Sequence, residues 1–209
     1  MKTKPSEAEL LQAREDASAW AAAVLTDDRV VYLDTETSGL PSMRPETEIV
    51  QLSITNWKGR PLLVSGIRPE NGIPEEASRV HGLVEEDLKD CPTFEELAPL
   101  IVKVLCEKVV VVYNADFDGS LLWNSFRKRD LPSPQIEEIF CCMDKFSQWT
   151  GEWSPKKGDY KWQKLPNLSG RLAHDALVDC ENLYLLIQKM SLMKEEEMNT
   201  TLDEINLDF

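Results

Sequence analysis

Within VYLDTETSGL, residues 31–40, Asp34 and Glu36 stand two positions apart directly after an apolar run. In a β-strand, side chains at i and i+2 share a face, so both carboxylates aim at one spot beside the core. At a rise of ~3.3 Å per residue their Cα atoms lie ~6.6 Å apart. At an effective dielectric near ~20, two unit charges at that distance repel by ~2.5 kcal/mol. Bound cations would offset that repulsion. Two more acids stand where such chemistry would use them. VVVVYNADFDGSLL carries Asp118 just past a second apolar run, and GRLAHDALVDCENLYLL carries His174 and Asp179 five apart. Four carboxylates and one imidazole suit two Mg²⁺ or Mn²⁺ ions, because hard divalent ions prefer carboxylate oxygen. A pair of such ions ~3.5–4 Å apart can clamp the attacking and leaving oxygens of an in-line phosphoryl displacement.

Elements of defined type must carry these residues. PSEAELLQAREDASAWAAAVL predicts an amphipathic helix within residues 1–28, opened by a capping box of Ser6 and Glu9. Its apolar positions Leu10, Ala13, Ala17, Trp20, Ala21 and Val24 follow the helical period. Arg29 to Leu33 predicts the first strand. EIVQLSITNW (48–57) and PLLVSGI (61–67) predict a hairpin turning at Lys58-Gly59. HGLVEEDL predicts a turn and short helix. TFEELAPLIVKVLCEK (93–108) predicts a helix with a second capping box, Thr93 and Glu96. VVVVY (109–113) predicts a strand buried on both faces. Asp116 to Arg127 predicts a helix, Gln135 to Cys142 a fifth strand, residues 151–170 a loop, and Ala173 to Met190 the last helix. That last helix would place His174 and Asp179 near its start, flanking one cleft. The fold expected is α/β, a mixed sheet of five strands flanked by helices over residues 29–190.

LDTETSG, YNADFD and H-x4-D, in this order, resemble the three motifs of the DEDDh 3′–5′ exonucleases, relatives of the proofreading epsilon subunit of bacterial DNA polymerase III. RVHGLVEEDLKDCPTFEEL is similar to the segment that family carries between its first two motifs. The resemblance runs from about Val30 to Leu186 and implies a ribonuclease H-like fold. It implies that Asp34 bridges two metals, that Glu36 and Asp179 serve the metal holding the nucleophilic water, and that Asp118 serves the leaving-group metal. His174 would be the general base. The sister class has a tyrosine four residues before the last aspartate, where this chain has Asp175. Ser38 stands where the family often has threonine, and Tyr113 where its second motif often begins with histidine. Asp118, rather than Asp116, aligns with the family's Phe-Asp pair. The motifs further imply substrate contacts at Thr35, Thr37, Gly39 and Leu40, and at Tyr113, Asn114 and Phe117. His81, in a VHGL turn, is expected as a wall near the substrate.

DKFSQWTGEWSPKKGDYKWQK (144–164) interleaves aromatic residues with lysines, and Trp162 in it is a further expected substrate contact. Arg127, Lys128 and Arg129 read as a solvated helix end. Five cysteines without CxxC spacing argue against a zinc site and a disulfide framework and read as reduced, mostly buried thiols. The net charge of −14 argues against broad electrostatic binding to nucleic acid and for weak, distributive binding unless a partner tethers the enzyme. Residues 191–209 form an acidic tail, expected to be mobile, ending in EINLDF. That end resembles the hexapeptide by which bacterial replication proteins bind the sliding clamp, so a clamp or polymerase partner is expected there. The start lacks the apolar stretch of a secretory signal, and no apolar run nears the ~20 residues of a membrane span. The protein is expected in the cytoplasm. The expected activity is hydrolysis from nucleic acid 3′ ends, single-stranded DNA first, releasing nucleoside 5′-monophosphates. The alternatives are a 3′–5′ exoribonuclease, or a non-catalytic nuclease-fold module that binds a polymerase or nucleic acid.

Overall fold

A computed structural model describes residues 3–172 and 174–192. Nearly all of the acidic tail, including EINLDF, lies outside the described residues. The elements in chain order are α1 (Glu7–Val24), β1 (Val30–Thr37), β2 (Ile49–Asn56), β3 (Pro61–Gly66), α2 (Glu75–His81), α3 (Glu85–Leu88), α4 (Phe94–Leu105) and β4 (Val109–Val112). A π-helical turn (Ala115–Gly119) then leads into α5 (Ser120–Lys128), followed by β5 (Glu138–Cys141), α6 (Cys142–Thr150), β6 (Trp153–Ser154), β7 (Asp159–Tyr160) and α7 (Ala176–Ser191).

The main sheet has five strands in the order β3-β2-β1-β4-β5. β1 pairs antiparallel with β2 and parallel with β4, so the sheet is mixed, as expected. β1 is central, and alternation divides its side chains between two cores. Val31 and Leu33 join the core beneath α4 and α5, while Val30 and Tyr32 join the core beneath α1, α6 and α7. β4 does the same, with Val110 and Val112 on one side and Val109 and Val111 on the other. This explains its uninterrupted valines.

Both capping boxes form. Ser6 Oγ accepts the Glu9 N–H, Thr93 Oγ1 accepts the Glu96 N–H, and each glutamate reaches back to its cap. The buried stripe of α1 is Leu10, Arg14, Ala17, Ala21 and Val24. Ala13 and Trp20 are half-buried, and the guanidinium of Arg14 lies 4.9 Å from the centre of the Trp149 ring.

Several sequence expectations are corrected. β1 runs on to Thr37 rather than ending at Leu33, because β2 supplies pairing partners as far as Ile49. The helix expected from Asp116 begins as a π-helical turn. Residues 142–150 are helical, and the expected loop 151–170 contains a two-stranded ribbon, Trp153 facing Tyr160. Arg129 is no solvated helix end. Its side chain is 15% exposed, and it forms ion pairs with Glu48 at 2.9 Å, Glu70 at 3.2 Å and Glu95 at 2.5 Å. All five thiols are free, but only Cys142 and Cys180 are buried.

Candidate metal and nucleic-acid site

Asp34 and Glu36 continue the face of β1 that carries Val30 and Tyr32, so they meet α7. Helix α7 is seated by its first residues. Asp175 is its N-cap, its Oδ1 accepting the N–H groups of Leu177 and Val178 at 3.0 and 3.2 Å. Gln51 of β2, the cross-strand partner of Glu36, accepts the Ala176 N–H at 2.9 Å and donates to Asp175 Oδ2 at 3.4 Å. Asp175 is thus occupied as a cap. One turn on, at the same sheet-facing side of α7, the Cys180 thiol contacts the carbonyls of Tyr32 and Ser53, pressing the helix to the sheet.

Asp179 is held twice. Its Oδ2 accepts the His174 N–H at 3.2 Å, and its Oδ1 accepts Asn182 Nδ2–H at 3.3 Å. Asn182 is fully buried, and its own Oδ1 accepts the N–H groups of Leu168 and Ser169. It therefore ties the short connector before His174 to the aspartate. Nothing in the motifs singled this asparagine out; its place one turn beyond Asp179 was the only signal.

Asp118 arrives from the π-helical turn after β4. It is buried, and Thr35 Oγ1 donates to its Oδ1 at 2.7 Å. Asp116 is exposed. The wide turn thus selects Asp118 as the inward acid. His174 precedes α7 instead of lying on it, and it takes a left-handed backbone, φ +63°. That turn brings its imidazole to the acids: ligand atoms of Glu36, His174 and Asp179 lie within 4.8 Å of one another.

The acids form a cluster of like charge, with the His174 imidazole beside Glu36 and Asp179. Burial, then repulsion from Asp118, Asp179, Glu36 and Asp175, pushes Asp34 well above the usual carboxylate range. Asp34 nonetheless keeps part of its surface exposed. Burial chiefly, with Asp179 and Asp118 adding, pushes Glu36 up to about 8. Burial raises Asp118 to about 6, against the lowering effect of the Thr35 hydroxyl. Burial also raises Asp179. Among the described residues, no lysine or arginine pairs with any of these four. Oxygen donors of one sign, converging and unpaired, fit hard divalent cations.

Beside the acids opens a cleft of about 530 Å³, lined on one side by Thr37, Gly39, Leu40 and Met43 and on the other by α2 residues including Val80 and His81. Thr37 Oγ1 donates to the Gly39 carbonyl at 2.7 Å, and Gly39 has φ +154°, a conformation side-chained residues rarely adopt. Leu40 is exposed. His81 Nδ1 accepts the Leu83 N–H at 3.1 Å, and burial holds this imidazole below its usual range. The remaining expected contacts come from the second half of the chain. Tyr113 is half-buried and donates its hydroxyl to the Gln163 carbonyl at 2.8 Å. Asn114 spends its carbonyl on the π-helical turn, accepting from Phe117 and Asp118, and Phe117 is half-buried. Trp162 is exposed.

Residues 31–187 match the RNase_T family model, described as exonuclease. The chain belongs to the exonuclease family. Exonuclease CP81 of Escherichia phage 186 is 31% identical over 168 residues, covering 75% of this chain and 84% of that protein. The DNA polymerase III epsilon subunit of Haemophilus influenzae is 26% identical over 190 residues, covering 83% of this chain and 73% of the subunit. The fold is that of Exonuclease X solved with 5′-overhanging duplex DNA (TM-score 0.52, 23% identity, 81% of this chain, 96% of that one). It is also that of E. coli Exonuclease I solved with a dA16 oligonucleotide (TM-score 0.62, 16% identity, 81% of this chain, 41% of that one). The resemblance to 3′–5′ exonucleases, the ribonuclease H-like sheet and the reading as an enzyme are thereby borne out. The exonuclease family depends on divalent metal, and this chain's carboxylates and histidine offer the donors. No helix among the described residues is long and apolar enough to cross a membrane.

Proposed function

We propose that this exonuclease removes nucleotides from the 3′ end of single-stranded DNA and releases nucleoside 5′-monophosphates. One observation carries the reading: Asp34, Glu36, Asp118 and Asp179, from three separate parts of the chain, lie close enough to repel one another, with no lysine or arginine paired to them among the described residues. Asp34, Glu36, Asp118 and Asp179 would hold two Mg²⁺ or Mn²⁺ ions, which when bound neutralise the acids and stabilise charge developing on the phosphoryl group. Thr35 fixes the Asp118 carboxylate, and His174 N–H with Asn182 fixes that of Asp179. The His174 imidazole, beside Glu36 and Asp179, takes the proton from the attacking water. Leu40 and Val80 offer apolar surface to the terminal base across the cleft, with Thr37, Gly39 and His81 as its polar lining.

The DNA in the solved Exonuclease X and Exonuclease I complexes supports DNA over RNA. Likeness to epsilon subunits supports a polymerase as partner, and the carboxyl-terminal hexapeptide remains our candidate for a clamp contact. The test is release of mononucleotides from a 3′-labelled oligonucleotide in Mg²⁺ or Mn²⁺. The expected result is activity abolished by EDTA and by Asp34→Ala. Activity that survives either treatment, or faster digestion of the matched RNA, overturns the reading.

A further inference from the structure

The β6–β7 ribbon has a composition unlike the rest of the chain. Between residues 154 and 164 stand four lysines, Lys156, Lys157, Lys161 and Lys164, against Asp159 alone, in a protein of net charge −14. Lys161 is paired with Glu152 at 2.8 Å. Lys156 and Lys164 form no ion pair among the described residues.

Of the six tryptophans only Trp162 is exposed, at 58%. A tryptophan that pins a loop is buried, as Trp149 is; this one faces outward. The Lys157 ammonium sits 3.7 Å from the centre of its ring, which orients the indole while leaving much of its surface open.

The scaffold beneath is firm. Trp153 and Tyr160 meet edge to face at 5.7 Å, and the turn between the strands closes with Lys157 N–H and Gly158 N–H on the Ser154 carbonyl. Gly158 has φ +66° there. The Lys161 N–H donates to the Glu152 carbonyl, extending the pairing toward Trp162.

The ribbon is rooted in the catalytic cluster. Gln163, the residue after Trp162, receives the hydroxyl of Tyr113, five residues before Asp118. The chain then runs to Leu168 and Ser169, which bond to Asn182, the residue that holds Asp179. The apolar cleft borders Glu36, lined by residues from Thr37 to His81, and the end of the ribbon is joined through Gln163 and Tyr113 to the segment that carries Asp118. A strand laid across the acids would leave the cleft and meet the ribbon. Its phosphates, repelled by the acidic cluster, need cations nearby.

From this arrangement we infer that the β6–β7 ribbon is a track for the single-stranded nucleic acid just upstream of the nucleotide being removed, Trp162 stacking on a base and Lys156 and Lys157 following phosphates. The inference rests on the proposed exonuclease reading for which nucleic acid arrives. Base stacking on one aromatic side chain supports roughly 5- to 100-fold in affinity. Each phosphate contact on a single strand adds about −0.7 to the slope of log affinity against log salt.

The experiment compares the full chain with Trp162→Ala and with Lys156→Ala/Lys157→Ala. Kinetics are measured on a trinucleotide and on an oligo-dT of roughly 12 nucleotides, within the ~4–16-nucleotide span of known single-strand tracks. Wild type should prefer the longer substrate in kcat/KM. Both variants should shrink that preference, by roughly 5- to 100-fold for Trp162→Ala. A length preference that is unchanged in both variants overturns the inference, including the case where both substrates lose equally. Fluorescence anisotropy of the labelled oligomer in EDTA reads the ribbon without turnover. There the lysine variant should bind with a shallower salt dependence, and an unaltered slope counts against the track. If wild type digests neither DNA, the exonuclease reading fails, while the anisotropy still decides on the ribbon.

Discussion

Two of the four acids in the site, Asp118 and Asp179, are held in place by hydrogen bonds from named neighbours. Thr35 restrains Asp118 by one short hydrogen bond. Hydrogen bonds to charged groups contribute about 1.5–3 kcal/mol, equal to roughly 1–2 pH units on the bonded acid. Thr35→Val should therefore raise Asp118 further and move the acidic limb of the pH–rate profile upward by about 1–2 units. An acidic limb that stays in place would show that Asp118 is not the acid limiting activity at low pH. His174→Ala should lower kcat by about 10²- to 10⁴-fold, the usual contribution of a general base, with an unaltered melting temperature. At this scale the sequence was legible. The spacing of Asp34 and Glu36 reports a shared strand face, and the Phe-Asp pair picked Asp118 over Asp116. What it hid was backbone: the left-handed turn at His174 and the wide turn before α5 depend on packing that no local pattern announces.

Among elements, the connector from Lys164 to His174 is tied to α7 through Asn182, which accepts from Leu168 and Ser169, and through the His174 N–H on Asp179. Asn182→Ala would leave two backbone N–H groups without their acceptor and remove one of the two hydrogen bonds that hold the Asp179 carboxylate. Loss of an outer partner of a metal ligand weakens metal affinity or activity by about 10- to 100-fold. Titrating activity with Mn²⁺ should show the midpoint shifted upward by that factor, and an unshifted midpoint would make Asn182 purely a packing residue. The clamp of Arg129 on Glu48, Glu70 and Glu95 joins the end of α5 to the segments before β2 and after β3. Glu48 also accepts the N–H groups of Glu70 and Asn71. Removing one partner of such a buried pair destabilises by about 3–5 kcal/mol, so Arg129→Ala should lower the urea midpoint accordingly. The sequence read this arginine as solvated because helix-end basic residues usually are, and the three acids that enclose it lie 34 to 81 positions away. α6 was missed for a related reason. The sequence pattern assigns nothing between the expected strand end at Cys142 and the loop expected from residue 151, and the packing of Phe146 and Trp149 in the core shared with α7 is what makes 142–150 helical.

For the whole molecule, the acidic cluster couples stability to pH and to metal. Glu36 is raised from near 4.5 to about 8, so the fold binds its proton more tightly than the unfolded chain does. That contribution is fully present below about 4.5 and is lost as pH rises through about 8. In EDTA the melting temperature should therefore fall between pH 5 and pH 8.5. Saturating Mg²⁺ binds only the folded cluster and should restore it, with a larger gain at pH 8 than at pH 5. Equal melting temperatures with and without Mg²⁺ at pH 8 would mean that the acids hold no ion. The overall architecture was foreseeable from five apolar runs and their connections, because alternation and connection length constrain a mixed sheet strongly.

The match to the family begins at residue 31, beyond α1, yet Ala17, Ala21 and Val24 of that helix lie fully within the core that also holds Leu183, Leu186 and Ile187 of α7. Asp179 rides on the helix that α1 braces from behind. Anyone who shortens this protein to its recognised boundaries will strip the backing from the helix that carries Asp179, and the damage will surface some distance from the cut.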